Sequence, residues 1–368
     1  SSGDTVLVAA GTYTENIIWP ETNGIKLISA GDSSNTVIDG GGTDRVFYIY
    51  EHDTEIDTTT LIKGFTIQNG HGGGEGGGIR SVGASIKLES LLVKNNKAQS
   101  GAGIFIQNAD VIILNVTVSN NTNESDGNTG GGVGICLKAN ANGVLKNVLI
   151  SDNNGLYQSY YKGGGLYLDG GSHSIINTII IRNSSNEYGG GVYSSAITNF
   201  NNVIIADNVA LKDGGGISSR GSDTLKNVTI YNNLASNAGA GIDGYYANPY
   251  ITKSTIANNF NESTSGDWRG GIFSLQNNGY ENFIISESNI VNNNDGVYAR
   301  VNEPFQIIDL LNNYWGHSSG PYHPSQNPTG QGDISNEYVN VTPWLTEPNT
   351  DAPPIPAQSV AVSNKGND

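Results

Sequence analysis

Nine positions along the chain, each one residue beyond a branched apolar residue that follows a run of small residues, read Arg80, Phe105, Cys136, Tyr167, Tyr193, Ser218, Asp243, Phe273 and Tyr298. Five of the nine are aromatic, an uncommon density for a column expected to face solvent. Two residues further on, a second column reads Val82, Gln107, Lys138, Asp169, Ser195, Arg220, Tyr245, Leu275 and Arg300. Rings set beside cations, amides and carboxylates can hold sugars, whose C–H faces stack on aromatics while their hydroxyls bond polar groups. Three longer intervals insert residues just before the small-residue run, at 122–129, 155–162 and 260–269, and bring Tyr160, Tyr161, Lys162 and Trp268 to the same edge. The expected glycan-binding set is therefore Phe105, Tyr167, Tyr193, Tyr160, Tyr161, Trp268, Lys138, Lys162, Asp169 and Arg220. The competing expectation is purely structural, since aromatics favour strands and stack along a solenoid.

Cleavage of an acidic polysaccharide would demand convergence. A lyase needs a cationic or Ca²⁺-supported site for the uronate carboxylate and a Lys or Arg base, and a hydrolase needs clustered carboxyls. Lys138 and Arg220 lie three repeats apart, roughly 14 Å along a stack of strands, and Asp169 and Asp243 are likewise separated. No catalytic residue is assigned on this spacing. The five histidines, His52, His71, His173, His317 and His323, share no column, which argues against a transition-metal site. Corner Asp side chains and carbonyls could ligate Ca²⁺, yet no calcium-loop pattern is present.

The elements that must position these residues follow from self-similarity. The apolar residue after the small-residue run recurs at Ile79, Ile104, Ile135, Leu166, Val192, Ile217, Ile242, Ile272 and Val297, spaced about 25 residues with three intervals of 30 or 31. In register with it runs a strand that ends in a polar pair, as in Val93-Lys94-Asn95-Asn96, Ile205-Ala206-Asp207-Asn208 and Ile230-Tyr231-Asn232-Asn233. Alternation within these segments has the strand period and not the helical one. Repeats this small cannot bury their own apolar side chains, so they must stack, Ile upon Ile. Stacked Asn residues at one corner can then hydrogen-bond as an amide ladder. The Gly runs are expected to supply positive φ and close backbone approach at the opposite corner. They are not phosphate loops, because no Lys-Ser or Lys-Thr follows and no helix opens there.

Composition narrows the function class. The chain has 368 residues, 50 of them Gly, and 34 acidic against 18 basic residues for a net charge of −16, which argues against a nucleic-acid partner. One cysteine, Cys136, excludes an internal disulfide framework. No run of about 18 apolar residues offers a membrane span. The chain contains no Met and opens within a motif, so export is expected from architecture alone, any signal peptide lying upstream.

The opening Gly3-Asp4-Thr5-Val6-Leu7-Val8 with Gly11-Thr12-Tyr13, followed by Val37-Ile38-Asp39-Gly40, resembles the first coils of pectate-lyase-like right-handed parallel β-helix proteins. The alternation of Gly-Gly-x-Ile with strand-x-Asn-Asn is similar to the repeats of bacterial polymorphic outer membrane proteins and β-helix surface adhesins. Asn313-Tyr314-Trp315-Gly316, Ser319-Gly320-Pro321, Gly332-Asp333 and Pro343-Trp344-Leu345 resemble a C-terminal cap of exported bacterial β-helices. The resemblance implies an all-β fold, a single-stranded right-handed parallel β-helix of about ten or more coils over 1–346. Its repeats fill about 60–316 and its cap about 312–346. Residues 347–368 are expected to be a Pro-rich linker followed by the first strand of a truncated fibronectin-III-like module at Gln358–Val362. The expected role is an extracellular or cell-surface domain that binds a polysaccharide or cell-surface glycan, adheres, or assembles with copies of itself. The alternative is a polysaccharide lyase or glycoside hydrolase.

Overall fold

The computed structural model describes residues 1–51, 55–124, 130–156, 161–263, 270–276, 282–301 and 307–356. The chain winds into a parallel β-helix without α-helices among these residues. Each full coil carries three principal strands, and among the described residues seven coils add a two-residue strand after the third, from Lys97–Ala98 to Phe260–Asn261, that pairs in a sheet of its own. The first follows the small-residue run and stacks in the order Ile17, Phe47, Ile79, Ile104, Ile135, Leu166, Val192, Ile217, Ile242, Ile272, Val297. The second stacks Leu88, Ile113, Leu145, Ile175, Phe200, Leu225, Ile251 and Ile285. The third stacks Val93, Val118, Ile150, Ile180, Ile205, Ile230, Ile256 and Ile290. The whole third column is buried, and with the other two it forms one continuous core, on whose edge Ile17 packs half-buried. β-Branched residues suit such a stack because a single χ1 rotamer repeats from coil to coil.

The polar pair that ends the third strand divides its labour. Its first member adopts the left-handed region, as at Asn95 (φ 56), Asp207 (φ 53) and Asn232 (φ 53), a conformation that Asn and Asp tolerate best among residues with a Cβ. The second member turns inward and is buried. Asn96, Asn121, Asn153, Asn183, Asn208, Asn233, Asn259 and Asn293 form a ladder in which each Nδ2 donates to the Oδ1 of the next. The ladder closes in the cap, where Asn293 Nδ2 donates to Asp333 Oδ2 at 3.0 Å. An acceptor without a donor suits that last place, and burial pushes the Asp333 carboxyl up to about 6. An exposed ladder of the opposite polarity links Asn227, Asn202, Asn177, Asn147 and Asn115 where the second strand turns into the third.

Leu92, Leu149, Ile179 and Ile204 share an outward column on the third strand, whereas the neighbouring Ile180 points inward and is buried. Residues 349–353 do not leave the solenoid as a free linker. Asn349 N donates to Asn289 Oδ1 at 2.8 Å, Lys253 pairs with Asp351 at 2.9 Å, and Thr255 Oγ1 donates to the Pro353 carbonyl. The Gln358–Val362 strand lies outside the described residues.

A carboxyl is also enclosed within the coils. Asp223 is buried where the second strand begins, stacked on Thr198, and accepts 2.7 Å hydrogen bonds from Ser194 Oγ and Ser219 Oγ. Burial raises it to about 6, against those hydroxyl bonds. A folded-state value above the unfolded one, about 3.9, means that its contribution to stability is full below pH ~4. That contribution is lost as pH rises through ~6, about 3 kcal/mol in all by linkage. Asp223→Asn keeps the shape and removes the proton, so its stability should be flatter than wild type by that amount between these limits. Urea denaturation of both proteins across the window checks this; parallel curves would show that the carboxyl does not titrate there.

Candidate functional site

The glycine corners decide what the outer face of the first strand can offer. At Gly214 (φ +69) the backbone doubles back so tightly that a Cβ would sit 2.7 Å from Ser218 Cβ, and Gly101 (φ +55) folds over Phe105 in the same way. The first outward position is therefore roofed by its own corner. Phe105, Cys136, Ser218, Asp243 and Phe273 are fully buried and Tyr193 is only 8% exposed. The column expected as a solvent platform is instead the floor of a groove. One wall is the second outward column, with Lys138, Asp169, Ser195, Arg220 and Tyr245 half-buried. The other is the residue just before each positive-φ glycine: Lys162, Tyr188 and Asp213, the first two bridged in register.

In the middle of the solenoid this groove widens into a cavity of about 420 Å³ lined by Lys162, Tyr188, Tyr193, Lys212, Asp213, Arg220, Asn237 and Tyr245. Three cations lie against its rings. The Lys162 ammonium is 5.0 Å from the Tyr193 ring centre and 5.8 Å from that of Tyr188; Lys212 is 5.4 Å from Tyr188; the Arg220 guanidinium is 4.7 Å from Tyr245 and 5.4 Å from Tyr188. Such contacts fix long side chains without neutralising them.

Carboxyls answer two of the three. Arg220 pairs with the buried Asp243 at 2.8 Å, and Lys212 pairs with Glu187. Although burial opposes its charge, the Asp243 carboxylate holds Arg220 above its ordinary value. Burial in turn pushes Asp243 above the usual carboxylate range, against the pull of Arg220. Lys162 has no carboxylate partner among the described residues. Asp213 accepts bonds from Asn237 Nδ2 at 2.7 Å and the Ala238 N–H at 3.0 Å, both on Oδ1, which leaves Oδ2 for a ligand. Burial, and then the neighbouring Asp243 charge, push it up to about 7, against Asn237, Arg220 and the Ala238 amide.

Of the residues singled out from sequence, Tyr193, Lys162 and Arg220 meet in this cavity. Tyr167 stacks on Tyr193 with ring centres 5.2 Å apart and planes at 8°, and Asp169 beside it accepts from Ser195 Oγ at 2.9 Å. Lys138 sits further along, ion-paired with Glu75 at 3.7 Å. Phe105 is not a contact surface: Arg80 and Lys138 lie over its buried ring, at 5.8 and 5.6 Å. Nor is Tyr161, which is buried with Ala98, Ala102 and Val133 in a small separate core. Its ring fills the space beside Gly130, where a Cβ would come within 2.5 Å of it. Tyr160 and Trp268 lie outside the described residues. Lys212, Asp213 and Asn237 escaped selection from sequence, although each falls one or two residues before a positive-φ glycine, at Gly214 and Gly239.

Among the described residues no group of three His, Cys, Asp or Glu side chains converges as a metal-ligand set, and no helix is long and apolar enough to cross a membrane. Residues 46–235 match the family described as right handed beta helix region, more than half of the chain. With the stacked parallel strands, that match places the chain in the right-handed β-helix family. No curated protein and no solved structure matches it.

Proposed function

We propose that this chain is an extracellular or cell-surface glycan-binding domain, with its saccharide lying in the groove and anchored in the Tyr188–Tyr193–Tyr245 cavity. One observation carries the reading: three tyrosine rings and three cations converge on a single concavity of a size suited to small ligands, in a chain otherwise strongly acidic. Tyr245 and Tyr188 are the accessible rings, so they separate binding from folding better than Tyr193, which the corner encloses. Tyr245→Ala and Tyr188→Ala should each weaken glycan binding by about threefold to tenfold, the worth of one ring contact, while leaving melting nearly unchanged. Calorimetry against a panel of acidic and neutral polysaccharides reads the first quantity and thermal unfolding the second. Parent-like affinity in both variants would remove the cavity from the binding surface.

A second reading, cleavage of the bound chain, is favoured by Asp213. A carboxyl that holds its proton near neutrality beside the Arg220–Asp243 pair is placed as an acid catalyst is placed. New reducing ends, or unsaturated uronate absorbance, after incubation with the same panel would establish it. Their loss in Asp213→Asn would assign the proton to that carboxyl.

A further inference from the structure

We infer that the third-strand face of the solenoid is a docking surface for this chain's own C-terminal segment, with residues 357–362 seated along its outward column from Ile204 toward Leu92. From the N-terminal coils onward, the first outward position of the third strand is Thr66, Leu92, Thr117, Leu149, Ile179, Ile204, Thr229, Thr255 and Asn289. Both ends of this column are polar and covered. Thr66 is buried, its Oγ1 donating to the Ser33 carbonyl at 2.6 Å, and Thr229, Thr255 and Asn289 are buried too. Between them stand five positions of which four are apolar, Leu92, Leu149, Ile179 and Ile204, the last two 39% and 38% exposed. A face meant only for water would be arranged the other way round, since a contiguous bare apolar stripe marks a surface that is covered in use.

What covers the C-terminal end of the column names the occupant. Asn289 Oδ1 accepts from the Asn349 N–H at 2.8 Å, and Asn289 Nδ2 donates to the Asn349 carbonyl at 3.2 Å. One coil back, Thr255 Oγ1 donates to the Pro353 carbonyl, Lys253 pairs with Asp351 at 2.9 Å, and Ala352 is buried. The segment thus crosses the strands along the solenoid axis, heading from the last coils toward the bare stretch. A sheet face offers it side chains only, because the backbone groups are spent on the coil-to-coil ladder. Pro353, Pro354 and Pro356 suit that setting, as they hold the chain extended and carry no N–H to be stranded. From Thr255 to Ile204 is two coils, about 10 Å, and to Leu92 six, about 29 Å; an extended chain gains about 3.3 Å per residue, so about three residues past Pro353 reach Ile204 and about nine reach Leu92. The ninth is Val362, and Ala357-Gln358-Ser359-Val360-Ala361-Val362 carries no charge.

The test uses the full chain, whose one native thiol, Cys136, is buried and shielded from reagents. Two double variants put one thiol on the column and one on the segment: Ile204→Cys with Ala357→Cys, and Leu149→Cys with Val360→Cys. Mild oxidation should join each pair within a single molecule, read by mass and by migration on a denaturing gel. Ile197→Cys with Ala357→Cys, whose first thiol sits exposed at the start of the second strand, should stay reduced. A second readout needs no crosslink. A lone Ile179→Cys thiol should be alkylated about tenfold more slowly than a lone Ile197→Cys thiol, because the reagent must wait for the segment to lift. Adding Val360→Asp and Val362→Asp should restore the faster rate, since carboxylates do not settle on an apolar stripe, and thermal unfolding of each variant confirms that the solenoid is intact. Disulfides between two molecules would make a second copy the occupant and overturn the inference. Alkylation of Ile179→Cys as fast as Ile197→Cys would overturn it as well, because the column would then stand open to water.

Discussion

Asn208→Ala and Asn233→Ala should each lower the unfolding free energy by about 3 kcal/mol or more, one of the largest losses open to a single polar substitution in this chain. The magnitude follows from counting partners. The Asn208 side chain accepts from the Asn183 N–H at 2.9 Å and from Asn183 Nδ2 at 3.1 Å, and donates to the Ile180 carbonyl and to Asn233 Oδ1, both at 3.0 Å. Alanine strands both Asn183 donors and takes a donor from the Ile180 carbonyl, all in the preceding coil, and takes one of two donors from Asn233 Oδ1 in the next, which keeps the Asn208 N–H at 3.0 Å; all of these groups are buried beyond the reach of water. A buried group left without its partner costs about 1 to 3 kcal/mol, and the ladder can relax only by shifting neighbours that carry the same bonds. Asn202→Ala breaks the exposed ladder at the corresponding level, where water replaces the lost amide, so it should cost less than about 1 kcal/mol beyond its left-handed φ of 56. Paired chemical denaturation of the buried and exposed variants measures the difference; equal losses would mean that the Asn208 ladder is hydrated.

The solenoid was legible in the sequence because every coil repeats the same demands. An inward Ile must meet an Ile, and a buried Asn must find an Asn at the next level, so the spacing of about 25 residues states the fold many times over. Direction was less legible where alternation failed. In Ile175-Ile176-Asn177-Thr178-Ile179-Ile180-Ile181 both faces are apolar, and pattern alone could not distinguish Ile179, which is outward, from Ile180, which is inward. The cavity was half legible for a different reason. Side-chain alternation along the first strand correctly separated inward positions, such as Val192 and Ile217, from the outward residues that follow them, but it says nothing about backbone lying above. A corner that curls over Phe105 and Ser218 is a property of the positive-φ glycines that precede each strand, and only its close approach distances reveal it. Asp213 was overlooked because it belongs to the corner and not to any strand, so no strand-period column includes it.

Gly215→Val should prevent the solenoid from closing, and the reason is stacking distance and not backbone conformation. Gly215 was expected to need a positive φ, as was Gly190, but the left-handed glycines are their predecessors, Gly214 (φ +69) and Gly189 (φ +68). What Gly215 provides is the absence of a Cβ: one built there would lie 2.3 Å from the Leu234 carbonyl oxygen and 2.6 Å from that of Ala240. Both oxygens belong to the backbone of the next coil, which its own interstrand hydrogen bonds hold in place, so neither can yield as a side chain would. Adjacent strands in a sheet lie about 4.8 Å apart, and a branched side chain cannot enter that layer without parting two coils and breaking their bonds. The loss should therefore exceed about 4 kcal/mol, the range in which single substitutions are exceptional, and the variant should accumulate as insoluble protein. Gly42→Ala supplies the contrast. Gly42 sits at φ +70 with nothing within 4 Å of a built Cβ, so alanine meets only the left-handed penalty, about 1 to 2 kcal/mol, and should fold with a modestly lowered melting temperature. Soluble yield and thermal unfolding of the two proteins give the answer directly. A Gly215→Val protein that melts no lower than Gly42→Ala would show that the coils at this corner stand further apart than the backbone distances require, and with them the roof over Ser218 and the inner wall of the cavity.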